Sequence, residues 1–452
     1  MLTTLWALHH ATQTSASVWV RHTSNGALTV TCNGSSFTGS TIDTALHDGC
    51  GICSVTGLAA GSSYPFTAYV AGVEVVSGTL KTMPATGSTF SVGFASCFSC
   101  SRDNLPLNAL VETVTDLSCF FFSGDNIYNA QPATGTETRY GESLTRIENI
   151  LKADKTDEAG FKAQTYRAHR AWWRTSGYQV MQHEVPCWFK GDDHDGWVGN
   201  DWDWTLVKAN GDSALYGGPW ATVQADLERV APWIKETQNA YYMGNPNNTL
   251  GYWTTRINDD VELFFLECIY YRDAADGSGT TLLGATQLAW FKAALAASTA
   301  TFKLIMSTKN LYGGADDYGQ YPAERTDIED FIYAQSGWAK PGGVVWTAGD
   351  IHYPYVAYRT DKPMLNICSS PAGQGIAEAA TDGYTGYKVY KSSGNISINV
   401  PDPESYQCAA FIRVHGSEKL TCGIVDMFGA IKWQVEVMAG TNEISYPQMR
   451  LG

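Results

Sequence analysis

The run Ser118-Cys119-Phe120-Phe121-Phe122-Ser123 puts apolar side chains at successive positions. A strand turns alternate side chains to opposite faces, so this segment needs cover on both. It ends at Gly124-Asp125. Upstream, Phe90 to Ala95 (FSVGFA) reads as a second strand, ending at Ser96-Cys97, and Leu105 to Val114 between them has helical spacing. Strand, helix, strand with reactive side chains at the strand ends is an α/β pattern, in which ligands gather beyond the carboxyl ends.

Two further segments repeat the design. Val344-Val345-Trp346 runs to Gly349, and Asp350 and His352 follow at i and i+2, pointing the same way if extended. The run Asp192-Asp193-His194-Asp195 follows another apolar stretch, and Tyr128 lies three residues after Asp125. Oxygen and nitrogen donors together suit a catalytic di- or trivalent metal better than a structural zinc. Four such ends predict a shared rim where several ions sit, one carboxylate bridging. Plainer readings stand beside these: Cys97 as a buried thiol, Asp125 as a turn or cap residue, Tyr128 as a core aromatic. Adjacent ionised carboxylates repel unless a cation sits among them. The three aspartates therefore cannot all be ligands of one site; Asp193 is the first choice, Asp192 a loop-positioning residue or additional ligand, and Asp195 a weaker candidate. Asn200 and Asp203 are candidates for a further cation site.

A chain of 452 residues calls for two domains or one large one. With 17% charged and 44% hydrophobic residues it is globular. A net charge of −15 argues against a nucleic-acid groove or an anionic membrane as main partner, while a local positive site would still capture an anionic substrate. No stretch is apolar for long enough to span a membrane. The first twenty residues lack a basic leader with a cleavage site, so export is signal-free, the signal has been removed, or the protein stays where it is made. Eleven cysteines leave at least one unpaired; Cys50 and Cys53 read equally as a local disulfide or as two thiols.

Residues 1–84 read as a small β-sandwich, with Ser17 to Arg21, Leu28 to Thr31 and Phe66 to Val70 as alternating strands. The Gly57-Leu58 turn leading to a Tyr64-bearing strand resembles the fibronectin type III pattern, with Tyr64 a packing residue. Met83 to Ser88 reads as a linker, and residues 85–452 as the second domain. There, Thr286 to Ala297 reads as a helix, Phe302 to Met306 as a strand, and residues 410–437 as an antiparallel meander.

The ordered motifs FASC, SGDNIY, the Tyr166-Arg167 segment followed by GDDHDGWVGND, LLGATQLAWFKAAL with TFKLIMST, GDIHY, SSPAG and FIRVHGSEKLTCGIVD resemble the PhoD-type alkaline phosphatases and phosphodiesterases of the metallophosphoesterase superfamily. That resemblance implies an αββα sandwich behind a fibronectin type III-like domain. It implies hydrolysis of phosphodiesters or phosphomonoesters by metal-bound hydroxide. By it, Cys97, Asp125, Tyr128 and His352 bind Fe3+; Asp125, Asp193 and Asp350 bind Ca2+; and His194 acts unligated near the leaving oxygen. It also implies an extracellular or periplasmic setting. Arg167, Arg170 and Arg174 read as a packed, salt-bridged helix face or as phosphate-binding residues, Arg167 being the substrate candidate. Trp197, Trp202 and Trp204 read as a substrate wall or as loop packing. The family often has Asp-Thr-Arg where this chain has Glu267-Cys268-Ile269, so an arginine is missing. The rival expectation is a structural or adhesive surface or virion component on the same fold, assembled into a larger structure.

Overall fold

The computed structural model describes residues 4–100, 103–128, 136–145, 147–154, 156–196, 220–247, 249–272, 280–312, 317–335, 343–352, 354–359, 364–374, 396–399, 407–439 and 444–445. The chain opens with seven strands: β1 (Thr4–Ala11), β2 (Ser15–His22), β3 (Gly26–Cys32), β4 (Ser35–Ile42), β5 (Cys50–Thr56), β6 (Ser63–Val70) and β7 (Val73–Lys81). They form two antiparallel sheets, β1-β2-β5 and β4-β3-β6-β7. Val18, Val20, Val30, Phe66 and Ala68 fill one core between them. Trp19 points the other way, into a second core under the helices, and its indole N–H donates to the Ala240 carbonyl at 2.9 Å. The β1-β2-β5 sheet is thus covered on both faces, which is why β2 reads apolar at successive positions. Tyr64 is half-buried and its hydroxyl accepts from the Ala59 N–H at 2.9 Å. All eleven cysteines are free thiols. Cys53 faces the first core and Cys50 the second, so the disulfide reading of this pair does not hold.

Beyond residue 88 the strands are β8 (Thr89–Ala95), β9 (Leu117–Ser123), the hairpin β10 (Thr136–Arg139) and β11 (Glu142–Thr145), β12 (Cys187–Lys190), β13 (Trp253–Arg256), β14 (Val261–Phe265), β15 (Phe302–Met306), β16 (Val344–Ala348), β17 (Tyr355–Arg359), β18 (Leu365–Cys368), β19 (Ile396–Asn399), β20 (Cys408–His415), β21 (Lys419–Asp426), β22 (Ile431–Met438) and β23 (Ile444–Ser445). They build two seven-stranded mixed sheets, ordered β12-β9-β8-β20-β21-β22-β23 and β13-β14-β15-β16-β18-β17-β19. Among the described residues the helices are α1 (Leu105–Thr113), α2 (Ile147–Ala153), α3 (Glu158–Trp172), α4 (Ser176–Glu184), α5 (Asp193–Gly196), α6 (Trp220–Tyr241), α7 (Gly284–Ala297) and α8 (Pro322–Ala334).

Period-two alternation explains the layering. In β9, Cys119 and Phe121 join Leu263, Phe265, Leu304, Met306 and Val345 in the core shared by the two sheets. Phe121 and Phe265 meet edge to face at 5.3 Å. Phe120 and Phe122 point outward to a core with Leu107, Trp172 and Tyr178 of α1, α3 and α4. From the second sheet, Phe264, Ile305 and Trp346 pack against Phe291 of α7 and Ile328 of α8. Burial on both faces is the reason the parallel strands read as continuous apolar runs.

Parallel pairing of β8 with β9, β9 with β12, and β15 with β16 and β16 with β18 brings their carboxyl ends to one edge. Ser96-Cys97, Gly124-Asp125, Asp192-Asp193, Ser307-Thr308-Lys309, Gly349-Asp350 and Ser369-Ser370 follow those ends.

Candidate metal centre

The turns beyond these strands are tightly built. A Cβ on Gly349 would stand 2.3 Å from Ser96 Oγ and 2.9 Å from the Ser123 carbonyl oxygen, so only glycine lets β16 end against β8 and β9. Cys97, Asp125, Asp350 and His352 all have left-handed backbones, with φ of 58°, 53°, 74° and 54°. Each such residue costs about 1–3 kcal/mol, and such strain persists only where the surroundings over-determine it. Here backbone bonds do so: Phe98 N–H donates to the Asp125 carbonyl at 3.0 Å, and Gly373 and Gln374 N–H groups both donate to the Cys97 carbonyl at 3.0 Å. Ser370 Oγ accepts from the His352 N–H at 3.0 Å.

These turns bring Cys97, Asp125 and His352 together, with one ligand atom of each within 4.8 Å of the others. Tyr128 joins them: its Oη donates to Asp125 Oδ2 at 2.8 Å and lies 2.9 Å from His352 Nε2. Cys97 Sγ is 3.4 Å from Asp125 Oδ2 and accepts from Ser370 Oγ at 3.0 Å. A second group, Asp125, Asp192 and Asp193, converges within the same limit and shares Asp125. His194 stacks on the Tyr128 ring at 4.3 Å, and its Nε2 is 3.8 Å from Asp193 Oδ2.

Burial raises the Cys97 thiol well above its usual value, and the charges of Asp125 and Asp350 push the same way. Burial likewise raises Tyr128, reinforced by Asp125 and Cys97, and it raises Asp125 itself. Burial also opposes ionisation of Asp193, but the charges of His194, Lys309 and Arg272 outweigh it and hold the carboxyl low. Three acids thus crowd one point, and burial opposes the ionisation of each. Asp125 Oδ1 is buried without a hydrogen-bond partner among the described residues, an arrangement costing roughly 1–3 kcal/mol or more for a charged group. Thiol, phenol, carboxyl and imidazole donors with an orphaned oxygen fit a di- or trivalent ion, which draws off those protons on binding.

In the acidic half, Asp350 lies outside the second group, its Oδ2 accepting from Lys309 Nζ at 2.8 Å. Asp192, read as a loop-positioning residue or additional ligand, belongs to that group. Asp195 serves as a backbone clamp, accepting from Asp192 N–H at 2.7 Å and Ile127 N–H at 2.9 Å. Arg167 is exposed on α3, whereas Arg170 and Arg174 pair with Glu142. Asn200, Asp203 and the three tryptophans lie outside the described residues. Glu267, in the divergent motif, makes a buried pair with Lys190 at 2.5 Å, and Arg272 brings a guanidinium charge to bear on Asp193. Lys309, Ser370 and Arg272 were not among the sequence candidates; the signal for the first two was a polar run directly after an apolar strand.

The profile of a family described as PhoD-like phosphatase matches residues 93–406, and that of a domain of unknown function matches residues 6–88. No curated protein matches the chain significantly. Among solved structures, one described as PhoD superposes with a TM-score of 0.71 at 16% identity, covering 99% of this chain and 93% of that one. A purple acid phosphatase from yellow lupin (Lupinus luteus) seeds superposes with a TM-score of 0.57 at 12% identity, covering 94% and 72%. At these identities the two structures speak to the fold.

Proposed function

The chain belongs to the PhoD-like phosphatase family, and on that footing we propose that it hydrolyses phosphodiesters or phosphomonoesters at the rim built by Cys97, Asp125, Tyr128 and His352. At the family level it is a metal-dependent phosphoester hydrolase. The observation that carries the proposal is the meeting of four donor types from three strand ends, the last more than 220 positions beyond the other two, with Tyr128 Oη 2.9 Å from His352 Nε2.

Cys97, Asp125, Tyr128 and His352 would hold the ion, and a thiolate with a phenolate favours ferric iron. A bound ion supplies Lewis acidity to a phosphoryl oxygen and acidifies water. Ser370 steadies the sulfur, and Ser96 Oγ accepts from the Asp350 N–H at 3.2 Å, tying two ligand turns together. His194, half-buried beside Tyr128, is placed to give a proton to the departing oxygen. We read the helix, sheet, sheet, helix layering as the αββα sandwich of metallophosphoesterases over residues 85–452, and residues 1–84 as a fibronectin type III-like domain.

Purified protein should release nitrophenol from bis(p-nitrophenyl) phosphate. Chelation and Asp125→Ala should each abolish that release. Turnover that survives both defeats the proposal.

A further inference from the structure

The Lys309 side chain is fully buried, yet it ends among carboxylates. Its Nζ lies 2.8 Å from Asp350 Oδ2, 3.2 Å from Asp192 Oδ1 and 3.8 Å from Asp193 Oδ1. These include two of the three acids that converge as the second ligand group. The lysine is pinned at its backbone: Ser307 Oγ donates to its carbonyl at 2.8 Å, the Trp346 indole donates to the same oxygen at 2.9 Å, and its own N–H donates to Ser307 Oγ at 3.1 Å. The ammonium is therefore delivered to this point by the fold, at the end of β15.

We propose that Lys309 is the second cation of this centre: its ammonium fills the acidic half, so the chain holds one metal ion, on Cys97, Asp125, Tyr128 and His352. A hard cation such as calcium needs six to eight oxygens at about 2.3–2.6 Å. Asp192, Asp193 and Asp350 cannot wrap such an ion while they face Lys309, and a divalent ion set beside a buried ammonium is repelled with little solvent screening. The lysine does part of the work of an ion: it neutralises the acid cluster and presents fixed positive charge beside the place where a phosphoryl group would bind. It does so without an exchangeable ion, so hydrolysis would not respond to calcium. The inference rests on the reading of the rim as a hydrolytic metal centre, but its test does not need turnover.

Calcium titration by calorimetry, with elemental analysis of the same samples, decides it. The unaltered chain should bind no calcium tighter than about 1 mM. Lys309→Met, or Lys309→Gln should the first variant not fold, should gain one calcium per chain with at least about 100-fold tighter affinity. Asp192→Asn added to either variant should remove that gain. Stoichiometric calcium in the unaltered chain overturns the proposal, as does a folded lysine variant that still takes none. A chain that holds no transition ion, but takes calcium only once Lys309 is replaced, would refute the proposed function and the single-ion count, and leave Lys309 standing as the cation of the acidic half.

Discussion

Ser370 and Cys97 lie 273 positions apart in the chain, and the serine hydroxyl donates to the sulfur at 3.0 Å. That bond favours the thiolate over the thiol and opposes the effect of burial on Cys97. The same hydroxyl oxygen accepts from the His352 N–H, so one serine fixes a sulfur donor and an imidazole donor together.

Ser370→Ala should leave the fold intact and loosen the ion. Groups that orient metal ligands are worth 10–100-fold in affinity, so the chelator concentration that strips half the metal should fall by about that factor. Unchanged retention, measured by chelator competition followed by elemental analysis, would show that Ser370 only packs against the sulfur.

Gly349→Ala tests the close approach of β16 to the ends of β8 and β9. The new methyl would press on the Ser123 carbonyl and on Ser96 Oγ, and the carbonyl is backbone that cannot swing aside. Overpacking of this kind costs about 1–3 kcal/mol. The urea midpoint should fall accordingly, and metal content should fall with it, because Ser96 and Asp350 would be forced apart. A variant as stable and as metal-loaded as the parent would contradict this account of the turn.

Two buried histidines set a pH limit away from the metal site. Burial lowers His9 from 6.5 to about 3, with His10 adding to the effect, and burial lowers His169 to about 3, with Arg170 adding. The unfolded chain takes up these protons near pH 6.5 while the folded chain refuses them until near pH 3. The unfolded state therefore binds more protons throughout that window, and stability declines as pH falls from about 6.5 towards 3. Each histidine contributes a slope of up to about 1.4 kcal/mol per pH unit. His169→Phe keeps a ring against Tyr241, which the histidine stacks on at 4.4 Å, and should flatten part of that slope. Denaturant midpoints at pH 7, 6 and 5 check it, and identical pH dependence in parent and variant would exclude His169.

Much of this centre is readable in the sequence because each of its main ligands follows a strand apolar on both faces. The FASC, GDNIY and GDIHY segments show where the apolar strands carrying Phe94, Phe122 and Trp346 end and the turns begin. Lys309 and Ser370 are harder, since Ser-Thr-Lys and Ser-Ser after a strand look like any loop; only the parallel pairing of β15, β16 and β18 carries them to the rim. Backbone strain is equally hidden, because nothing local marks Cys97 or His352 for a left-handed conformation. In the front sheets, the outward face of Trp19 becomes intelligible only once α6 supplies the Ala240 carbonyl. The contacts that Asp192 and Asp350 make with Lys309 depend on where one lysine ends, a fact of tertiary placement.

His194 provides the sharpest test of chemistry as distinct from metal binding. It stacks on Tyr128 and lies beside Asp193, but it is not in the group formed by Cys97, Asp125 and His352. If it protonates the leaving oxygen, its value depends on how badly that oxygen needs a proton. Nitrophenolate departs readily without help, whereas an alkoxide does not. His194→Ala should therefore slow hydrolysis of an alkyl phosphate ester by about 10²–10⁴-fold, and slow a nitrophenyl ester far less. Metal content should stay at the parental level. Equal losses on both esters, or loss of the metal itself, would move His194 from proton donor to ligand or structural support.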